Sequence, residues 1–406
     1  MIIEQGVINS GVLLNVLGIF KGYQTGLLTI SIPQIIMIGL GLFFAYLSIV
    51  KKYEPLLLLP LAFGILLANI PGANLSAYDQ NGLLHFLYQG ITRVLYPPMI
   101  FLCIGSMTDF GPLIANPKIA LIGLGGQLGI FVAFGGALLL GNWLAPFIQS
   151  FDPSFVGFGL NEAASIAIIG SSDGPTSIFA ASRLAPDLLP TIAIAAFSYM
   201  ALVPFIQPPL MKLLTTKKER AVVMPRTKNV TRKQKIIFSI LVTIFVLLLV
   251  PAAGALVGML MLGNLIRESG VTERYLETLQ KGFLNLLTLL VAVSIGSSAT
   301  ADKFLTTTTL FVIFLGLMAF VFGTVGGILI AKLLYKLTGG KVNPLIGNSG
   351  VSAMPMAARI SQKMGQKYNS QNHLLMHAMG PIVSSTILSA IVAGIFIAFC
   401  GGLMGN

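Results

Sequence analysis

The stretch Gly170-Ser171-Ser172-Asp173-Gly174-Pro175-Thr176-Ser177 decides the fold, because it places a polar cluster inside an apolar segment that runs from Asn161 to Pro186. Glycine, serine, aspartate and proline are poor helix-interior residues, so the cluster predicts a break in a helix. In a membrane such a break must face protein or a water-lined cavity, because lipid cannot satisfy the freed backbone groups. An aspartate at the break is therefore a functional-site hypothesis by default.

A second interruption lies in the other half of the chain. It comprises Asn343-Pro344-Leu345-Ile346-Gly347-Asn348-Ser349-Gly350-Val351-Ser352, with Pro355 following. Two interrupted hydrophobic segments in corresponding positions of two halves are typical of transporter-like ion sites. The two stretches together predict a membrane protein that handles an ion.

The composition supports this class. Of the 406 residues 55% are hydrophobic and only 9% are charged, whereas soluble domains carry about 25% charged residues. Three uncharged runs each exceed the roughly 20 residues that cross a bilayer as a helix; they are 119–151, 236–266 and 304–331. Continuous apolar runs rather than alternation indicate an all-α polytopic protein and not a β-barrel.

The net charge of +12 is concentrated in one loop and does not suggest a nucleic-acid partner. Between Lys217 and Lys235 there are eight basic residues and one acid, Glu219. The positive-inside rule makes this a cytoplasmic loop, and a docking surface for an acidic soluble partner is compatible with it. This orientation places the N-terminus in the cytoplasm and the C-terminus outside, and it puts Lys51 and Lys332 outside as well.

Eleven crossings are expected. The segment 1–54 holds a surface-lying or short helix and then the first span, Ile32 to Val50. The segment 55–214 holds five spans, including one from Ile91 to Gly105 kinked by two prolines and the broken helix 161–186. After the basic loop 215–235, the segment 236–406 holds five more, of which the first is Ile236 to Ile266 and the fourth is the broken helix 343–362.

The two halves share four features in the same order, which predicts internal repeats. The clearest pairs are Leu56–Gly64 with Leu248–Gly254, Cys103–Ser106 with Ser294–Ser297, and Gly170–Arg183 with Gly347–Arg359. A repeat of five crossings is odd, so the second repeat is expected upside down relative to the first. The two breaks would then meet near the midplane from opposite sides.

Asp173 is the first candidate for chemistry. A carboxylate at a midplane break can bind Na⁺ or carry a proton, and Ser171, Ser172, Thr176 and Ser177 offer further oxygen ligands. The structural alternative is that Asp173 caps the second half-helix, which begins at Gly174-Pro175. The two interpretations are compatible, and the rarity of intramembrane carboxylates favours a functional role.

The second break offers amide and hydroxyl oxygens from Asn343, Asn348, Ser349 and Ser352. Each can ligate the same ion or can satisfy the local backbone. Arg359 lies about two turns beyond Ser352; it can hold a carboxylate bidentately or extend towards the membrane surface.

For several other residues a structural role is the simpler interpretation. Tyr199 can relay a proton or bind the ion, but an aromatic side chain packed in the bundle is the commoner case. Arg183 is expected to extend to the interface. Cys103 and Cys400 are expected to be buried small hydrophobes, and no metal-ligand spacing relates them to the three histidines.

Four sequence blocks, taken together, resemble the β subunit of the biotin-dependent, sodium-pumping decarboxylases. This family includes the β subunits of oxaloacetate, methylmalonyl-CoA and glutaconyl-CoA decarboxylases. The resemblance covers nearly the whole chain, and the blocks are Ile169–Ile178, Ser198–Thr216, Asn343–Arg359 and His377–Pro381.

The resemblance implies a function and partners. A soluble α subunit would transfer a carboxyl group from an organic acid to biotin on a carrier domain, and the β subunit in the inner membrane would decarboxylate that carboxybiotin. It would export Na⁺ and take up a proton from the outer side. A small single-span γ subunit would help assembly, and a homo-oligomer is expected. The chain has no biotinylation motif of its own, so biotin must come on a partner.

The resemblance also assigns roles to six positions. Asp173 would alternately hold Na⁺ and H⁺, with Asn343, Gly347 and Ser352 at the Na⁺ site. Tyr199 and Ser352 would assist ion or proton handling, and Arg359 would face the carboxybiotin. The set of matching positions is Asp173, Tyr199, Asn343, Gly347, Ser352 and Arg359.

One departure from the family pattern concerns the ion site. Family members often have Asn after His-Ala-Met-Gly-Pro, whereas this chain has Ile382. If that Asn is a ligand, one ligand is missing here or Ser384 or Ser385 replaces it.

The competing function is a secondary Na⁺-coupled carrier for a small organic anion. Inverted repeats and broken helices fit this function as well.

Overall fold

The computed structural model describes residues 26–153, 155–225 and 229–402, and within these ranges every regular element is a helix. The expectation of an all-α protein is confirmed. Five helices are long and apolar enough to cross a membrane, and two bent pairs raise this number to as many as seven. Most of segment 1–30, predicted as a surface-lying or short helix, lies outside the described residues.

Fourteen main helices follow one another along the described chain. Shorter turns connect them, among them Gly111–Ala115, Ala145–Gln149, Lys217–Arg220 and Ala301–Phe304. The main helices are α1 Ile32–Ile49, α2 Pro55–Ala68, α3 Leu83–Thr92, α4 Tyr96–Met107, α5 Pro117–Trp143, α6 Leu160–Ile168, α7 Gly174–Leu184, α8 Leu189–Leu214, α9 Arg232–Leu249, α10 Gly254–Ser269, α11 Glu273–Ser298, α12 Thr307–Leu337, α13 Met356–Tyr368 and α14 Leu375–Gly402.

Hydrogen bonds between helix ends define two ends of the bundle. At the basic end, which carries the loop 215–235, Lys332 Nζ donates to the carbonyl of Leu214 (2.8 Å), so α8 and α12 finish together. At the far end, the Thr191 and Thr309 hydroxyls are 3.1 Å apart, so the same two helices also start together. The expectation that Lys332 lies on the side opposite the basic loop is therefore wrong.

The helices α9 and α10 form an antiparallel hairpin. Lys235 Nζ lies 3.3 Å from Glu268 Oε1, and Ser239 Oγ donates to Asn264 Oδ1 (2.9 Å). The expected single span Ile236 to Ile266 is thus wrong. Pro251 cannot continue the helix that precedes it, and the chain turns through a short 3₁₀ segment there.

A charged cluster closes the basic end of this hairpin. Lys235 Nζ is 2.7 Å from Asp109 Oδ1, which joins α9 to the end of α4. Partial burial acts to raise the pKa of Asp109, but the hydrogen bonds from Lys235 and from the Gly111 N–H outweigh it and hold that pKa below its usual value.

The helices α3 and α4 meet at an angle of 68°. The predicted proline kink is displaced: Pro97 and Pro98 lie in the first turn of α4, and the bend falls before them. Proline is well tolerated in a first turn because no intrahelical bond is lost there.

The first polar break is a re-entrant hairpin. The helices α6 and α7 pack against each other, and their outer ends, at Leu160 and Leu184, line one cavity of 700 Å³ together with Thr308 and Cys400 at the far end. The chain therefore enters from the far end and returns to it, so the broken helix 161–186 does not cross. We call this pair hairpin 1.

The second break is also a re-entrant hairpin. Asn343, before the 3₁₀ segment Pro344–Gly350, donates to the Val222 carbonyl (2.7 Å). Asn369, after α13, donates to the Ala221 carbonyl (3.2 Å). Both ends therefore lie at the basic loop, and we call this segment hairpin 2.

Glycines allow two equivalent helix crossings. A Cβ on Gly296 of α11 would lie 2.2 Å from the Leu61 carbonyl oxygen of α2, and a Cβ on Gly105 of α4 would lie 1.9 Å from the Leu260 carbonyl oxygen of α10. Backbones approach this closely only where no side chain intervenes. The contact α2–α11 in one part of the bundle is thus matched by α10–α4 in the other.

Candidate functional site

The tip of hairpin 1 is shaped by its sequence. Ser172 adopts a left-handed conformation (φ 55°) that ends the short 3₁₀ turn. Asp173 then caps α7, with Oδ1 accepting from the Thr176 N–H (3.4 Å), and Pro175 lies in the first turn. The predicted helix break and the capping role of Asp173 are both confirmed.

Asp173 is buried without a cation. Its side chain is at the centre of the bundle and the residue is only 4% exposed. Oδ2 accepts from Ser389 Oγ of α14 (3.3 Å). None of the ion pairs within the described ranges involves Asp173. A buried carboxylate with no cationic partner must take up a proton or a metal ion to avoid a large desolvation cost.

The two hairpin tips meet at this point. The Ser352 N–H of hairpin 2 donates to the Ser171 carbonyl of hairpin 1 (2.8 Å). Ser352 Oγ donates to Ser385 Oγ of α14 (3.2 Å), and Gln127 of α5 donates to the same hydroxyl (3.2 Å). Ser352 therefore lies beside the carboxylate-bearing tip, as the sequence predicted for the two breaks.

Unpaired oxygens lie on the hairpin 1 tip and on helices that pack against it. Four buried side-chain oxygens near the tips have no hydrogen-bond partner within the described residues: Ser172 Oγ, Thr176 Oγ1, Gln127 Oε1 and Thr324 Oγ1. Hard cations are bound by carboxylate, hydroxyl and carbonyl oxygens. With the Asp173 carboxylate, this donor set fits Na⁺, which such oxygens would hold.

The polar residues nearer the start of hairpin 2 form a separate network. Asn348 Nδ2 donates to Gln207 Oε1 of α8 and to the Ala357 carbonyl (both 2.9 Å). Ser349 and Ser361 both donate to Asn348 Oδ1. This network fixes the 3₁₀ segment between α8 and α13, so the structural interpretation applies to Asn348 and Ser349.

Asn343 and Gly347 have local partners as well. Asn343 Oδ1 accepts from the Leu345 N–H (2.9 Å), and its amide donates to the Arg220 and Val222 carbonyls of the basic loop. A Cβ on Gly347 would lie 2.5 Å from Ile328 Cα, so this glycine lets the segment pack on α12. None of these contacts joins Asp173. The Na⁺-ligand roles of both residues stay predictions, and the contacts of Asn343 favour its structural alternative.

Tyr199 and Arg359 lie on different sides of the junction. Tyr199 is buried, and its hydroxyl donates to the Ile313 carbonyl of α12. It packs with Ile169, at the start of the hairpin 1 tip, against Gly316. Arg359 is exposed on α13 and forms no ion pair within the described ranges. Arg359 lies at the end of the first turn of α13, and its guanidinium is free to bind an anion.

The sequence interpretation missed two residues of the junction, Gln127 and Ser389. Gln127 is the one polar side chain between Lys118 and Asn142, and this isolation is the available signal for it, whereas Ser389 follows the three hydroxyl residues 384–386 of its own span. In α14, Ser385 and Ser389 are separated by one turn and so share a face with Ile382, which is fully buried. Ser385 is at the junction, whereas Ser384 donates to the Ala120 carbonyl (2.9 Å). Of the two suggested replacements for the missing Asn, Ser385 is the one placed near the hairpin tips.

Two re-entrant hairpins that meet around a buried carboxylate, inside a polytopic helical bundle, define an ion-translocating membrane protein. Comparison with known proteins identifies the group. The chain belongs to the family described as the Na⁺-transporting oxaloacetate decarboxylase beta subunit, which matches residues 33–400.

Named relatives are similar over nearly their whole length. The methylmalonyl-CoA decarboxylase subunit beta of Veillonella parvula is 50% identical, over 92% of this chain and 95% of the relative. The glutaconyl-CoA decarboxylase subunit beta of Acidaminococcus fermentans is 48% identical, over 93% and 96%. The oxaloacetate decarboxylase beta chain of Haemophilus ducreyi is 42% identical, over 95% and 98%. The resemblance stated from the sequence motifs is confirmed.

Proposed function

We propose that this chain decarboxylates carboxybiotin delivered by a partner subunit and couples that reaction to Na⁺ export. The observation that carries the proposal is the buried Asp173 carboxylate at the junction of the hairpins, which has oxygen donors but no cationic side chain. Membership of the Na⁺-transporting decarboxylase family supports it.

The coupling follows from the need to neutralise Asp173. The carboxylate holds either Na⁺ or a proton, since either one removes the cost of an isolated buried charge. When Na⁺ leaves to the outside, a proton takes its place. When the next Na⁺ binds from the cytoplasm, it displaces the proton towards the carboxybiotin, which needs a proton to release CO₂.

The remaining site residues have supporting roles in this proposal. Ser352 holds the hairpin 2 tip against hairpin 1 and supplies an oxygen beside the ion. Tyr199 supports the start of the hairpin 1 tip, because it and Ile169 both pack against Gly316 of α12. Arg359, exposed on α13, binds the carboxylate of carboxybiotin. Asn343 and Gly347 place the 3₁₀ segment that leads to this tip.

The proposed architecture has ten crossings and two re-entrant hairpins. Each half contributes five crossings and one hairpin: α1, α2, α3 with α4, α5 and α8 in the first, and α9, α10, α11, α12 and α14 in the second. The matched glycine crossings α2–α11 and α10–α4 support an internal repeat. The entrances of the two hairpins at opposite ends support inversion of one repeat.

The basic end is proposed to face the cytoplasm, because Lys332 and the basic loop lie together there and their charges then obey the positive-inside rule. The C-terminal end of α14 then faces outside, and so does the start of α1. The prediction of a cytoplasmic N-terminus applies to residues outside the described part of the chain.

The proposed partners are a biotin-carrying α subunit or carrier protein and a small single-span γ subunit. The chain itself is proposed to lie in the inner membrane and to form a homo-oligomer. A secondary carrier for an organic anion is not favoured, because the relatives are named as decarboxylase subunits.

The test uses inside-out proteoliposomes that contain the assembled complex. We expect substrate-dependent ²²Na⁺ uptake that avidin inhibits and that Asp173→Asn abolishes. The asparagine is a matched replacement, because it retains an oxygen for the Thr176 N–H and a polar group for Ser389. Uptake that ignores avidin and follows an anion gradient alone would contradict the decarboxylase function.

A further inference from the structure

A cavity of 390 Å³ opens beside the hairpin tips. Its floor includes Pro175 of hairpin 1 and Ala353 of hairpin 2, which are close in sequence to Asp173 and Ser352. Its volume falls within the roughly 300–1,000 Å³ of small-ligand sites. The remaining wall comes from α2, α4, α8 and α11, and Met107, near the basic end of α4, lies on its rim.

Two polar side chains in this wall lack protein partners. The side chains of Glu54, before α2, and Asn285, in α11, have no hydrogen bond or ion pair within the described residues. The neighbouring Gln280 and Thr288 side chains donate to the Ser106 and Leu284 carbonyls. A half-buried carboxylate and an exposed amide on the wall of a mostly apolar cavity, with no protein group bound to either, are available to orient a ligand.

The backbone at Glu54 is strained. Its φ of 35° lies in the left-handed region, which a residue with a side chain adopts at a cost of about 1–2 kcal/mol. Glu54 does not recover this cost as a helix cap, because its side chain makes no capping bond to α2. Strain of this kind clusters at functional sites.

We propose that this cavity binds the ureido ring of biotin carried by the partner subunit. Asn285 donates to the ureido carbonyl, and Glu54 accepts from the ureido N–H that is not carboxylated. The carboxylated nitrogen lies on the opposite side of that carbonyl, away from Glu54. The inference rests on the proposed function and adds the binding site of its substrate.

Cysteine protection tests the site without an activity assay. Thr288→Cys lies in the cavity wall, and Thr278→Cys lies on the same helix outside the cavity. The native Cys103 and Cys400 are buried. We expect biocytin at about ten times its Kd to slow maleimide labelling of Thr288→Cys about tenfold in the assembled complex, because about one tenth of the sites stay open. Labelling of Thr278→Cys should not change.

A second pair of variants tests the hydrogen bonds. Asn285→Leu or Glu54→Leu, each introduced into Thr288→Cys, should raise the biocytin concentration for half-protection about tenfold, the loss of one well-made hydrogen bond. If biocytin leaves the Thr288→Cys rate unchanged while ²²Na⁺ uptake remains avidin-sensitive, the cavity assignment is overturned and the proposed function stands. Uptake that avidin does not inhibit overturns both.

Discussion

Gly126 of α5 lies against the hairpin 2 tip, and its replacement by alanine measures how much that contact matters. The added methyl group would lie 1.7 Å from the Gly350 carbonyl oxygen and 2.3 Å from its carbon. Carbon and oxygen atoms in contact are about 3.3 Å apart, so the two backbones must separate by about 1.6 Å. Because both atoms belong to backbone, relief by a side-chain rotation is not available, and we expect a loss of about 3 kcal/mol, the upper part of the usual overpacking range.

Gly135 of the same helix provides the matched control. A Cβ there would meet nothing within 4 Å, and alanine in a helix interior is favoured over glycine by about 1 kcal/mol. Both variants gain this propensity term, so it cancels, and their unfolding in mixed detergent micelles should differ by the overpacking cost of about 3 kcal/mol.

The same pair separates a stability effect from a functional one. Gly350 is two residues before Ser352, so separation at Gly126 also pulls Ser352 from the Ser171 carbonyl. We expect substrate-driven ²²Na⁺ uptake by Gly126→Ala to fall even at temperatures where the protein remains folded. If this variant is as stable and as active as Gly135→Ala, the reasoning about the hairpin contact is refuted.

Three further predictions concern the frame of the bundle. Gly263→Ala should destabilise the protein by about 1–3 kcal/mol, because its Cβ would lie 2.0 Å from a carbonyl oxygen of α4. The control Gly258→Ala should not destabilise it, because a Cβ there meets nothing within 4 Å. Equal unfolding curves for the two variants would argue against the close crossing of α10 and α4. Lys235→Met should remove the contact that lowers the pKa of Asp109. Because the pKa of Asp109 in the folded protein lies below its unfolded value of about 3.9, the contact with Lys235 stabilises the fold above that pH and loses its effect as the pH falls. The difference in thermal stability between wild type and this variant should therefore narrow from pH 7 to pH 3. A constant difference would count against a role for the contact. Arg220→Lys should lower the free energy of unfolding by about 1–3 kcal/mol, because one ammonium cannot replace the guanidinium bonds to the Thr215 hydroxyl, Tyr368 and two carbonyls. Unchanged unfolding would show that these bonds contribute little to stability.

The sequence was sufficient to locate both helix breaks but not the direction of the chain after them. From Leu160 to Leu184 the 25 residues would extend about 37 Å as one helix, which is enough to cross a bilayer. Composition and length therefore fit a crossing and a re-entrant hairpin equally well. Only long-range contacts, such as the far-end cavity shared by both termini of hairpin 1, distinguish them.

The α9–α10 hairpin was within reach of the sequence. Ile236 to Ile266 contains 31 residues, more than one span requires, and Pro251 lies at its middle. Proline in a helix interior removes a hydrogen bond and clashes with the preceding turn. Length and proline together favour two antiparallel helices, which also restores an equal number of crossings to the two halves in the proposed architecture.

The candidate site was predictable where a residue type is rare and not where it is common. Asp173 was identified because a carboxylate within an apolar segment is costly unless it is used. Ser389 and Gln127 were not, because serine and glutamine in a span can bond to their own helix. Ser389 does so, donating to the Thr386 carbonyl (3.0 Å) as well as approaching Asp173.

The two hairpins enter the bundle from opposite ends, and a cavity lies beside each of them. Hairpin 1 opens to a cavity of 700 Å³ at the far end, and the tip of hairpin 2 borders a cavity of 390 Å³ towards the basic end. Asp173 lines neither cavity: it is buried, with one hydrogen bond to α14 and one to its own helix. In the proposed function, one site that exchanges Na⁺ for a proton and opens to one end at a time would couple the two flows without a leak, because the carboxylate cannot be left charged and empty while it is buried.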